Sequence, residues 1–294
     1  MKRLLPLLAL LAVPALAQPS ATMRPALMSS FDFNYSWSSK EDIARGPAVL
    51  GQLSVEQYGF SASTRRPWRP GTVLVAGLAF NTHDFKFTGP LPIPQDLTEL
   101  SLNLGLQRRI DERWSAAAFL RPGLYGDLDS GIDTDALNAP LLLVANYSPD
   151  QTLTWTFGLN VNGFSDNPVL PVAGVRWTFA PEWTFNVGFP RSGLIWRATD
   201  RLEVTGGAWF SGGSFRLTDN LGVPATGIPR LANTFVDFRE IRAGLALEYA
   251  LTERAKLRLD LGAVTDRKID YFDKNYRLDG DGGTFLGFSV QGSF

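Results

Sequence analysis

An apolar side chain at every second position recurs along nearly the whole chain. In residues 29–39, SSFDFNYSWSS, the aromatics Phe31, Phe33, Tyr35 and Trp37 alternate with Asp32, Asn34 and Ser36. Leu100, Leu102, Leu104 and Leu106 alternate with Glu99, Ser101, Asn103 and Gln107 in part of the next such stretch. Further on, Leu153, Trp155, Phe157, Leu159 and Val161 repeat the pattern, as do Ile241 to Tyr249 and Leu257 to Leu261. An extended strand places successive side chains on opposite faces. Each stretch is therefore a strand with one apolar face. After the first residues no long segment has helical period, so the fold class is all-β.

Period two does not say which apolar medium covers that face. A water-soluble sandwich also alternates. Connection lengths discriminate. Short polar turns fall at 110–113, 148–151, 180–182, 199–201 and 252–254, with a slightly longer one at 65–70. Between them lie mostly longer segments at 38–47, 88–95, 126–138, 215–233 and 267–283. Shorter ones are at 163–168 and 190–193. Alternation of short turns with long loops belongs to outer-membrane barrels. The last strand, FLGFSVQGSF, places Leu286, Phe288, Val290 and Phe294 on one face and stops at that aromatic. It resembles the terminal signal such barrels present to their assembly machinery.

The expectation is a closed antiparallel up-and-down transmembrane barrel of about fourteen strands, with twelve as the alternative. The predicted strands are 26–38, 49–63, 71–87, 96–109, 114–126, 139–148, 152–163, 169–179, 182–189, 191–199, 201–216, 234–250, 255–268 and 283–294. An even count returns both termini to the periplasm. The ninth and tenth strands barely reach the roughly 9–11 residues a span needs. They predict a low notch in the outer rim. Trp114, Trp155, Trp183, Trp177 and Tyr249 flank the short turns, where an interfacial girdle belongs.

The first residues predict export. Lys2 and Arg3 precede an apolar run, 4–16, interrupted by Pro6 and Pro14, and Ala15-Leu16-Ala17 fits a signal-peptide cleavage site. The expected division is 1–17 as signal peptide and 18–294 as barrel. Removing two cations takes the net charge from −1 to about −3. That is not the basic surface a nucleic-acid partner requires. With 0 Cys the chain carries no disulfide, thiolate metal site or lipid-acylated Cys. No apolar run is long enough for a membrane helix.

From Trp183 to Leu217 the chain contains Gly188-Phe189-Pro190, Trp196-Arg197, Asp200-Arg201, Gly206-Gly207 and Phe215-Arg216. This window resembles a family of predicted outer-membrane β-barrel proteins of unknown function. The resemblance implies a barrel in the bacterial outer membrane. It implies no activity.

Catalytic chemistry is poorly supplied, and no enzyme is expected. The single His, His83, lies near the outer end of the third strand and reads as a rim or loop residue. No G-x-S-x-G motif accompanies it, and Asp84 points to the opposite face. No cofactor motif occurs. Asp127, Asp129, Asp133 and Asp135 in one loop, and Asp279 and Asp281 in another, resemble part of a calcium loop without its terminal Glu. The stronger lead is luminal charge: Arg176, Arg197, Glu203, Glu240, Arg242, Glu248, Lys256, Arg258 and Asp260 all point inward. They read either as a pore wall selecting small solutes or as a salt-bridged filling. The leading expectation is a passive pore or transporter for a small solute. The alternative is a structural or surface-interaction barrel with an occluded lumen, touching lipopolysaccharide through cation-bridged acidic loops. An outer-membrane enzyme with a carboxylate site is third. Expected partners are outer-membrane lipid, lipopolysaccharide and, through Phe294, the assembly machinery.

Overall fold

The computed structural model describes residues 28–128, 134–280 and 282–294. The leader predicted at 1–17 lies outside them. Strands β1 (Met28–Arg45), β2 (Ala48–Arg69), β3 (Thr72–Thr88) and β4 (Asp96–Arg109) make tall hairpins. The fifth wall position is split into β5 (Trp114–Leu120) and β6 (Gly123–Gly126), and a short β7 (Leu137–Asn138) follows. A lower wall comprises β8 (Leu141–Tyr147), β9 (Leu153–Val161), β10 (Val169–Ala180), β11 (Trp183–Val187) and β12 (Arg191–Arg197). Tall strands resume with β13 (Leu202–Leu217), β14 (Thr234–Thr252) and β15 (Ala255–Tyr271), and β16 (Tyr276–Gly280) leads into β17 (Gly283–Ser293). Counting β5 with β6 and β16 with β17, and setting β7 aside, gives fourteen wall positions. Neighbouring positions are antiparallel, and β1 pairs with β17 from Ser30↔Ser293 to Ser38↔Phe285, closing the ring.

The turn end of the barrel is tight. At the turn before β9, Asp150 Oδ1 accepts from the Thr152 hydroxyl (2.7 Å) and from the amides of Thr152 (2.7 Å) and Leu153 (3.0 Å). These donors hold the Asp150 carboxyl below its usual range. Asp111 caps the turn before β5 through the amides of Arg113 and Trp114, both at 2.7 Å. The outer face above these turns is apolar. Leu100, Leu102, Leu104 and Leu106 expose 40–54% of their surface and have no protein cover. Phe31, Phe33, Trp37, Phe157, Leu245 and Leu261 continue this belt, with Asp32, Asn34 and Ser36 on the lumen side. Aromatics rim its turn end, where Trp183 stacks on Trp196 (5.9 Å) and Trp114 packs on Tyr147 (4.8 Å). An apolar belt with an aromatic girdle is the surface a hydrocarbon layer demands.

The polarity of the wall inverts toward the loop end. On β3, Leu74, Leu78 and Phe80 face outward, but farther on Phe85 faces inward while Asp84 and Lys86 face outward. On β14 and β15 the inward Arg242, Glu248 and Arg258 give way to Val236, Phe238, Ile269 and Tyr271. Their outward neighbours become Arg239, Asp266, Lys268 and Asp270. The upper barrel is thus an ordinary protein core with Ile43, Leu53, Val55, Leu97, Tyr125, Leu217 and Leu231 packed inside it. Connections fold into this core: Leu91 and Ile93 follow β3, and Tyr271 donates its hydroxyl to the Pro92 carbonyl at 2.8 Å. Several expectations are corrected here. Segment 38–47 is a strand hairpin with its turn at Gly46-Pro47, and 267–283 contains the end of β15 and all of β16. The fifth strand breaks at Arg121-Pro122, since proline cannot donate to the ladder. β6 then pairs with β4 and meets β13 in parallel at Arg216↔Gly126, closing the upper barrel across its own width.

A layer of buried ions separates core from lumen. Arg267, fully buried, ion-pairs with Glu41 and with Glu240 (2.6 Å), and donates to the Leu53 carbonyl (2.9 Å) and Ser38 Oγ (2.6 Å). Glu240 also holds Arg242 (2.6 Å), which donates to Ser36 Oγ at 3.0 Å. Two arginines and two glutamates balance, and Glu240, Arg242 and Arg267 are each held by more than one partner. His83 lies beside this layer, edge-on to Phe238 (5.1 Å) and Phe215 (6.0 Å). It is buried, not at a rim or in a loop, because inward positions at this height point into the core.

Two outcomes follow. A glycine row, Gly193, Gly207, Gly244 and Gly262, runs in register across β12–β15. A Cβ on Gly244 would stand 2.1 Å from the Leu261 carbonyl oxygen, so Gly244→Ala forces backbone apart. Urea unfolding in lipid should show a loss of about 3 kcal/mol, at the upper end of overpacking costs. Arg267→Met strands a buried carboxylate and should cost about 3–5 kcal/mol, whereas Lys256→Met, half exposed in the lumen, should cost under about 1 kcal/mol. Equal costs for the two would contradict the dry layer.

Candidate functional lumen and side gap

Below the ionic layer the barrel is hollow. A cavity of about 1050 Å³ reaches the turn end at Arg65, Glu253 and Arg254 and rises to Arg242 and Ser211. Its wall is two-sided. Val75, Phe119, Val144 and Val172, on β3, β5, β8 and β10, form an apolar bank. The opposite bank, on β14, β15 and β17, is charged and polar. There Lys256 Nζ meets Glu248 at 2.7 Å, Arg258 meets Glu248 at 3.8 Å, and Arg258 Nε meets Asp260 at 2.9 Å. Among the described residues, seven cationic and four acidic side chains line the cavity, an excess of positive charge. Arg65, Arg176 and Arg254 have no ion pair among the described residues.

The nine luminal positions read from sequence divide by height. Arg176, Glu248, Lys256, Arg258 and Asp260 line the cavity, and Arg242 forms its ceiling. Glu240 lies in the ionic layer above. Arg197 and Glu203 pair at 3.6 Å near the turn end and do not line the cavity. The strongest partners in the layer, Glu41 and Arg267, were absent from that set. Register shifts explain why: the β1–β2 pairing slips between Ser38 and Glu41, and the β14–β15 pairing slips between Ile241 and Arg242. Each slip moves the next residues to the other face. The signal that could have found them is Ile269 and Tyr271, apolar residues two and four positions past Arg267, which put it on an inward face.

Among the calcium candidates, Asp127 is buried and accepts from the Thr218 amide (2.8 Å) and hydroxyl (3.0 Å) and from the Asp219 amide (2.7 Å). Asp135 pairs with Arg216 at 3.7 Å, and Asp279 pairs with Arg277 at 3.0 Å. Asp129, Asp133 and Asp281 lie outside the described residues.

The predicted notch is present and opens the wall sideways. β11 has 5 residues and β12 has 7, joined by a turn at 188–190. β10 pairs with β11 only from Val175 onward, so 169–174 have a free edge on that side. β13 pairs with β12 as far as Trp209, and the Phe210 amide donates to the Pro190 carbonyl at 3.1 Å. Beyond that, among the described residues, β13 has no strand on this side until Arg216. The connection at 162–168 reaches across to β14, where the Asp166 amide donates to Asp237 at 3.4 Å and Phe164 packs on Phe235 at 5.1 Å. The gap therefore has a floor (the short turn), two strand-edge sides and a loop-end border. Exposed Val169, Leu159 and Phe157 lie beside it on the apolar belt. Ala173, Val187, Phe189 and Phe210 line the same cavity as the lumen charges, so cavity and gap are continuous.

A search of curated proteins found no match. Among solved structures, the chain is similar to the COG4313 outer membrane channel from Pseudomonas putida F1, at 12% identity and TM-score 0.49, covering 95% of this chain and 100% of that one. It is also similar to a Pseudomonas aeruginosa FadL homologue (9% identity, TM-score 0.43, 91% and 90% covered). A third similar structure is the Pseudomonas putida toluene transporter TodX (11% identity, TM-score 0.40, 90% and 89% covered). Residues 80–278 match a family model described as a domain of unknown function, DUF6268, and the chain belongs to that family.

Proposed function

We propose that this chain is a bacterial outer-membrane barrel that carries a small solute between the periplasm and the far side of its wall. The turn end would face the periplasm, with both termini there, and Phe294 would be the handle for the assembly machinery. The uncovered apolar belt and its aromatic girdle support the membrane placement. One observation carries the transport reading: a single cavity of about 1050 Å³ runs from the turn end to the side gap. A barrel that only filled space would have no reason to hold such a chamber open, lined by unpaired arginines.

The chamber is not a straight pore. The upper core and the Arg267 layer close its axis. That filling favours the second reading, an occluded structural barrel, and the two separate in one experiment. Proteoliposomes holding the chain are loaded with octanesulfonate, an amphiphilic anion that crosses bare lipid slowly and can leave the chamber through the side gap into lipid. Transport predicts release several-fold above protein-free vesicles, faster for the anion than for a cation of equal size. The Lys256→Glu/Arg258→Glu variant should reduce that preference several-fold, since the lumen potential sets ion selection. Release no faster than from empty vesicles would establish the occluded barrel.

A further inference from the structure

We infer that the side gap is a wet window through which amphipathic carboxylates pass between the lumen and the surrounding lipid; this rests on the transport reading above. The first support is the backbone. Among the described residues, 169–174 of β10 and the stretch of β13 beyond Phe210 leave strand edges without strand partners at the height of the apolar belt. Bare strand edges do not occur against hydrocarbon; they persist only where protein covers them or water reaches them. The cavity reaches both strands, at Gly174 and at Ser211, which puts their edges within reach of water from the lumen.

The chemistry of the sill names the passenger. Arg191 stands at the lumen side of the turn, with its guanidinium over Trp209 (5.6 Å) and 3.4 Å from Asp260. It begins β12 directly after the turn that floors the gap, and a guanidinium fork suits a carboxylate head. Phe189 of this turn and Phe210 of β13 pack together at 5.7 Å at the mouth of the gap. Phe210 is registered with outward-facing Ile241, so this aromatic pair meets the apolar belt. A cation and an aromatic pair side by side at the gap fit a molecule with an anionic head and an apolar tail. A wholly polar solute gains nothing from the aromatic pair. A wholly apolar one must displace water from Arg191 and gains no charge contact.

The test uses a twelve-carbon carboxylate carrying a photoreactive diazirine, partitioned into bilayers that hold the full-length chain. Illumination should label lumen peptides of the wild type, and dodecanoate should compete where dodecylammonium does not. The chain's lack of cysteine allows a clean block. Ala173→Cys alkylated with a bulky maleimide should cut lumen labelling at least tenfold. Leu159→Cys, alkylated alike on the belt beside the gap, should leave it unchanged. Arg191→Gln should weaken the competition by dodecanoate about tenfold. Heat-modifiable gel migration checks that each protein remains folded. Lumen labelling that persists in the blocked Ala173→Cys protein, or never occurs in the wild type, overturns the window. Equal competition by dodecylammonium overturns the anionic passenger. Octanesulfonate release that survives the block would leave transport standing and the window refuted. Lumen labelling without any release would do the reverse.

Discussion

A strand in hydrocarbon must have both of its edges paired, and most of this architecture follows from that requirement. Water is not there to satisfy a bare amide, and each unpaired group costs several kcal/mol. Pairing Phe31 and Phe33 of the first strand with Gly292 and Val290 of the last removes the two edges an open sheet would expose. Closure then dictates alternation, because the ring has one face to lipid and one to its own interior. It also gives the gap beside β11 and β12 its meaning. Where two strands stop short inside a closed ring, the exposed edges have to meet water, and the lumen is the adjacent source.

The same wall serves two solvents at two heights. Within the lipid belt it is apolar outside and polar inside, and above it the signs reverse. On β3, Phe85 points inward and Asp84 outward, whereas Leu74, Leu78 and Phe80 point outward lower on the same strand. The reversal requires a junction where a wet lumen meets a dry core. Glu41, Glu240, Arg242 and Arg267 occupy that junction, with charge balanced and donors directed at carboxylates, a backbone carbonyl and serine hydroxyls. Buried ions rarely add net stability over apolar packing of equal volume. Their value here is positional: they end the core and present a polar ceiling to the chamber below.

Much of this was legible from residue order alone. Phe31 to Trp37 face outward with Asp32, Asn34 and Ser36 inward, as alternation demanded, and the girdle and the low β11–β12 hairpin lie where turn spacing put them. Segments 38–47 and 267–283 were illegible for a physical reason. There the strands leave lipid, so Asp42, Asp266 and Lys268 replace leucines on the outward face, and polar outward residues look like loop. Register slips compound this by changing the phase of the repeat just before Glu41 and Arg267. The candidate site was half legible. Arg176, Lys256 and Arg258 were readable as lumen cations, but Arg191 was hidden in a turn, and its role depends on which strands end beside it. No repeat in the sequence encodes that juxtaposition.

The central claim is that the chamber opens at the turn end and is sealed along its axis. It is tested most directly by single-cysteine reactivity in oriented membranes. Ser289→Cys lies in the lumen and Val236→Cys in the upper core. A small charged thiol reagent should modify the first rapidly from the turn side and at least a hundredfold more slowly from the loop side, and should leave the second unmodified from either. Equal modification of Ser289→Cys from both sides, or rapid modification of Val236→Cys, would mean that the axis is open and would contradict the account.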